Sequence, residues 1–179
     1  MACISKLASA IAYDCDTGTT GLTSAIIINK ADIKSYVVEE SSMTVSGFTL
    51  AAGAKAYKIE PVKRSLVLST ALKVNERAPN AYSHSATIVA TGILDALRRG
   101  TMSAFTNGSY VIMAKTDTLA APRIYGLYYG MSVTSVEQNS HENGNWVTYT
   151  LETPENVIGE DPVAITVAGY DTLYAAAVG

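Results

Sequence analysis

Between Arg123 and Glu152 the chain alternates apolar with polar residues more regularly than anywhere else in its second half. Two alternating runs, Met131–Gln138 and Asn145–Glu152, flank a polar, glycine-containing turn at Asn139–Gly144. A period of two belongs to a strand with one face buried, so the stretch predicts a β-hairpin. At about 3.3 Å per residue, each arm reaches roughly 25 Å. Just before it, Ile124, Tyr125, Tyr128 and Tyr129, punctuated by Gly126 and Gly130, predict a third strand feeding the pair. The two glycines relieve crowding or mark a bulge.

From the N-terminal side, residues 1–23 are small and polar-rich and read as an arm. Ala25–Asn29 carries Ile26, Ile27 and Ile28 in succession, the pattern of a strand covered on both faces. Ala31–Glu40 is ambiguous, with Tyr36, Val37 and Val38 able to continue as strand. Ser42–Leu50 and Lys55–Glu60, joined around Gly53, predict a second hairpin. The cleanest alternation places Leu66, Leu68, Thr70, Leu72 and Val74 on one face of a strand. Asn75–Tyr82, with Pro79, reads as an exposed loop, and Ser83–Thr91 as another strand.

At Gly92 the period changes. Ile93, Leu94 and Leu97 recur at helical spacing, Thr91 can cap the start, Arg98 and Arg99 suit the C-terminal end, and Gly100 stops it. A short helix near 92–99 follows, one that needs a sheet to pack on. Asn107-Gly108 between two β-prone runs predicts a type I′ hairpin. Residues 115–122 form a linker. Thr153–Pro162 leaves the sheet, and the apolar segments Val163–Ala168 and Leu173–Val178 predict an added strand or a docking arm. The expected organisation is an arm at 1–23, a core at 24–152 and a C-terminal arm or added strand at 153–179. The fold class is mainly β, a β-sandwich or small barrel of antiparallel strands with one short flanking α-helix.

Composition sharpens this. The chain has 179 residues, 48% of them hydrophobic and only 16% charged, so part of its surface is expected to be covered by a partner. A net charge of -3 argues against a domain that binds nucleic acid by neutralising phosphates. Cys3 and Cys15 match no disulfide framework or metal motif and read as buried or free thiols. The N-terminus reads as mature protein rather than signal peptide, and no run is long enough for a membrane-spanning helix.

Catalytic chemistry is not apparent. Asp14-Cys-Asp16-Thr-Gly18 opens like a calcium loop, but Thr19 and Ala25 stand where the turn glycine and bidentate glutamate belong. His84 and His141 are far apart and belong to no zinc motif. The chain lacks a nucleophile elbow, a Walker loop and a dinucleotide fingerprint. Its eleven tyrosines read as core and interface residues. The expectation is therefore no enzyme, with no catalytic, cofactor-binding or metal-binding residue.

The order SHSATIVATGILDALRRG, then TMSAFTNGSYVIMAKT, then RIYGLYYGM leading to a long hairpin closed by ENGNW and VTYTLE, resembles the tail tube (major tail) proteins of long-tailed bacteriophages. The resemblance is one of pattern and covers roughly residues 24 to 152. It implies a virion protein with a β-sandwich or small barrel flanked by a helix, assembled into six-membered rings that stack as a hollow tube. Its partners would be copies of itself, other tail proteins, and genomic DNA sliding through the lumen without specific binding. The family carries no active site and no cofactor. Tyr125, Tyr128, Tyr129, Met131, Val133 and Trp146 are the expected subunit contacts, and Glu39, Glu40 and Glu137 are candidates for an acidic lumen. Tail terminators, capsid decoration proteins and β-sandwich ligand-binding or adhesion modules are the alternatives.

Overall fold

The computed structural model describes residues 22–59, 66–76, 79–90, 105–116, 121–138, 147–155, 157 and 159–178. Among them eleven strands join in one sheet. In chain order these are β1 (Leu22–Asn29), β2 (Ile33–Glu39), β3 (Thr44–Leu50), β4 (Tyr57–Ile59), β5 (Leu66–Lys73), β6 (Ala81–Ala90), β7 (Ser109–Thr116), β8 (Arg123–Tyr125), β9 (Met131–Gln138), β10 (Val147–Glu152) and β11 (Val163–Ile165). A 3-10 turn, Lys30–Asp32, links β1 to β2, and helix α1 (Val167–Ala176) follows β11. Among the described residues the protein is thus mainly β, with one complete short helix. The helix expected near 92–99 lies outside the described residues, as do Trp146 and most of the arm at 1–23.

Strand β7 is the centre. Tyr110 to Ala114 are all buried, as a strand covered on both faces requires. Along one edge it pairs with β1, from Leu22↔Thr116 to Asn29↔Tyr110. Along the other edge lie two strands end to end, β8 through Ile112↔Tyr125 and β9 through Tyr110↔Met131. From that divided edge the sheet branches into two wings, β8-β11-β3-β2 and β9-β10-β6-β5. All the pairings named so far are antiparallel except β11 with β3.

The wings cover opposite faces of the β1–β7 layer. Ile26, Ile28, Val111 and Met113 pack with Val45, Val163, Ile165 and Tyr170 from β3, β11 and α1. Ile27, Tyr110 and Ile112 turn the other way, against Ala86, Tyr149 and Leu151 of the second wing. The run of three isoleucines in β1 therefore serves two cores. Each fully buried isoleucine is worth about 1.5–3 kcal/mol relative to exposure.

Elsewhere the tertiary context overrides local signals. Asn107-Gly108 turns no hairpin: Phe105 and Thr106 are helical, and the Gly108 N–H donates to the Phe105 carbonyl at 3.4 Å. This turn sets the Phe105 ring 4.8 Å from Tyr110 and 5.0 Å from Tyr149. Both edges of β7 are already occupied, so no hairpin partner can dock there. Gly53, at φ 81, makes a turn, but β4 pairs with β1 rather than with β3. In the tail Val163–Ile165 adds a strand, while Val167–Ala176 is helical where only a strand or arm was expected.

Candidate functional site

The five residues that separate β8 from β9, Gly126 to Gly130, form a closed turn in which the Gly130 N–H donates to the Gly126 carbonyl at 2.9 Å. Both glycines have positive φ, 74° and 76°. A Cβ on Gly130 would stand 2.1 Å from the Ser109 hydroxyl, so the turn sits hard against β7.

Three side chains distant in sequence hold this turn. His84 of β6 accepts the Gly126 N–H at Nδ1, 3.0 Å away. Glu160 accepts the N–H groups of Tyr128 at 2.9 Å and Tyr129 at 2.6 Å, one on each carboxylate oxygen. Lys30 donates its Nζ to the Leu127 carbonyl. Four polar backbone groups of the turn, three N–H and one carbonyl, are satisfied this way.

Burial sets the protonation of these groups. His84 is 2% exposed, its ring edge-on to Tyr125 at 5.4 Å, and its pKa is lowered to about 4. An Nδ1 that accepts an amide proton carries none of its own, so the imidazole is neutral with its hydrogen on Nε2. Glu160 is 0% exposed; desolvation raises its pKa, against the two amide bonds and the Lys30 charge, with Asp161 adding to the rise. Burial lowers the Lys30 pKa in turn, partly offset by Glu160, and its ammonium lies 5.6 Å from the Tyr36 ring centre. His84 spends Nδ1 on a backbone amide and Glu160 spends both oxygens, which is the chemistry of a tether.

The wing β9-β10-β6-β5 has a different outer surface. Val147, Tyr149 and Leu151 of β10, with His84 and Ala86 of β6, point into the protein, so the intervening residues point out. These are Thr148, Thr150 and Glu152 on β10, and Ser83, Ser85 and Thr87 on β6. Ser69 of β5 continues the hydroxyl row, its oxygen 2.6 Å from that of Ser85. At one end of this face an open groove of ≈ 500 Å³ is lined by Ala71, Lys73, Ser83, Ser85, Glu152 and Pro154. Lys73 Nζ donates there to the carbonyls of Glu155 and Val157 at 2.6 and 2.7 Å.

Strand β5 ends the wing and pairs only with β6 among the described strands. Its alternating face begins buried at Leu66 and runs out into solvent, with Leu72 57% exposed and Val74, just past the strand's end, 71% exposed. The other end of the sheet, β2, exposes Val37.

Of the expected subunit contacts, Tyr129 is exposed at the tip of the turn. Tyr128 is half-buried and packs edge-on to Tyr36, Tyr125 is half-buried on His84, and Val133 packs against the second core. Met131 is fully buried in that core. Trp146, His141, Cys3, Cys15 and Asp14–Gly18 lie outside the described residues. Glu137 pairs in register with Thr148 on the hydroxyl face, whereas Glu39 ends β2 on the opposite wing. The tether residues were invisible to spacing, because Lys30, His84 and Glu160 meet only through the folded turn. The two glycines were the one available sign of it. Among the described residues no group of three or more His, Cys, Asp or Glu converges, and no helix is long and apolar enough to cross a membrane. Compared with known proteins, the chain matches no family model, no curated protein and no solved structure.

Proposed function

We propose that the chain is a structural protein that assembles with copies of itself into stacked rings, as in the tail tube of a long-tailed bacteriophage, with DNA passing through the lumen. The observation that carries this reading is the pair of sheet ends. A sheet whose terminal strand β5 runs past its own core with Leu72 and Val74 exposed, and whose opposite end β2 exposes Val37, has edges suited to other copies. The hydroxyl face between them would form the lumen wall. Its outward charges are Glu137 and Glu152, while Lys73 is spent on carbonyls, so the face offers phosphates little to hold.

The test is electron microscopy over a concentration series with mass by light scattering, on the wild type and on a Leu72→Glu, Val74→Asp double variant. Rings or tubes are expected from the wild type. The variant is expected to remain a monomer with stability within about 0.5 kcal/mol per substitution, because both side chains are exposed. A wild type that stays monomeric at all concentrations, or a variant that assembles unchanged, overturns the assignment.

The groove beside Ser83 and Glu152 favours one other reading, a β-rich ligand-binding module. Saturable binding of a small polar ligand by a monomer would select it.

A further inference from the structure

We infer that His84 is an acid-released clasp on the Gly126–Gly130 turn, and that its protonation frees the start of this turn, at the point where the sheet divides into its two wings. The geometry rests on one bond. Gly126 presents a backbone N–H, which can only donate, and His84 Nδ1 receives it at 3.0 Å. A proton on Nδ1 would set donor against donor in a site that is 2% exposed. The bond then has to open.

The place of the bond gives the opening its consequence. Gly126 is the first residue after β8, and β8 and β9 share one edge of β7 only because the turn between them is folded. Releasing Gly126 frees the start of that turn. Its middle stays anchored by Glu160 at Tyr128 and Tyr129, and by Lys30 at Leu127.

The groups around His84 do not stabilise its cation. Tyr125 packs edge-on from β8 and stays neutral, its own pKa raised by burial against Arg123. Thr70 is its partner on β5, and Thr153, after β10, bonds to its backbone. Lys73, Glu152 and Glu155 border the adjoining groove. Glu160 and Lys30 act farther along the turn. Burial remains the cause of its lowered pKa, about 4 against an ordinary 6.5. In the opened state the imidazole regains its ordinary value. Each pH unit below about 6.5 therefore favours opening tenfold, until the closed form also protonates near 4.

Amide hydrogen exchange of Gly126, corrected for the intrinsic pH dependence of exchange, tests this. Protection in the wild type is expected to fall by roughly 80-fold between pH 6.5 and 4. His84→Asn places a non-titrating oxygen near the Nδ1 position and is expected to hold Gly126 protection constant over the same range. The amides of Tyr128 and Tyr129 report Glu160 separately. Flat protection in the wild type, or a parallel fall in both proteins, overturns the clasp. Should His84→Asn fail to fold, nitrogen chemical shifts of the wild-type imidazole decide: a proton on Nε2 alone at neutral pH supports it, and a proton on Nδ1 overturns it.

Discussion

Two buried ionisable residues pull the stability of this protein in opposite directions as pH changes. His84 has a folded pKa below its unfolded one, so at pH 5 the unfolded chain binds the extra proton. Its contribution is complete above about pH 6.5 and is lost as pH falls toward 4, a loss on the order of 2–3 kcal/mol. Glu160 has a raised pKa, so its contribution is present below about pH 4.5, the unfolded value, and is lost as pH rises through the folded one. Urea unfolding at pH 4, 5 and 6.5 should show the wild type weakening on acidification. In His84→Asn the His84 slope is removed while that of Glu160 is kept, so that variant should weaken less than the wild type over the same range. Equal slopes in the two proteins would mean that His84 does not titrate as its surroundings dictate.

At the scale of elements, α1 had a readable signal that the smallness of its residues hid. Tyr170, Leu173, Tyr174 and Ala177 follow helical spacing, and all four belong to or pack on the first core. Thr166 supplies the cap, its side chain accepting the Gly169 N–H at 3.2 Å. The helix is held down by the Tyr170 hydroxyl on Ser24 at 2.9 Å and by Lys58 over the Tyr174 ring. Lys115 and Asp171, 3.0 Å apart and partly exposed, add little. Tyr170→Ala should cost about 3–5 kcal/mol, Tyr170→Phe and Thr166→Ala about 1 kcal/mol each, and Asp171→Ala under about 0.5 kcal/mol in denaturant unfolding. If Asp171→Ala proved as costly as Tyr170→Ala, the helix would be held by charge rather than by packing.

The hairpin arms Met131–Gln138 and Val147–Glu152 were legible because period two has no other reading, and their register follows from Val147 opposite Gln138. Strand β5 was legible for the same reason. Asn107-Gly108 misled because an Asn-Gly pair closes a helical turn as readily as a hairpin. Which of the two forms depends on whether a strand edge is free, and that is a property of the sheet. The tether of Lys30, His84 and Glu160 was illegible for a related reason: each is a lone polar residue until the turn brings its amides and carbonyls to them.

At the scale of the molecule, the two ends of the sheet differ, β5 with Leu72 and Val74 at one end and β2 with Val37 at the other. If copies join edge to edge, the joint is head-to-tail and closes as a ring only when every copy keeps both ends. A Val37→Glu variant and a Leu72→Glu variant should each fail to form rings alone. Mixed, they should give a one-to-one dimer and nothing larger, through the one intact end that each retains. Rings from either variant alone would remove these edges from the joint.

Force travels through this fold unequally. The ladder between β1 and β7 runs through seven paired positions, whereas β9 holds β7 through two, Ser109↔Ser132 and Tyr110↔Met131. A load that drew the β5 end away from the β2 end would pass through that short seam and the turn beside it. That seam and the equally short two-pair ladders of β11 with β8 and with β3 would part under such a load before the six-pair and eight-pair ladders of β6 with β10 and with β5.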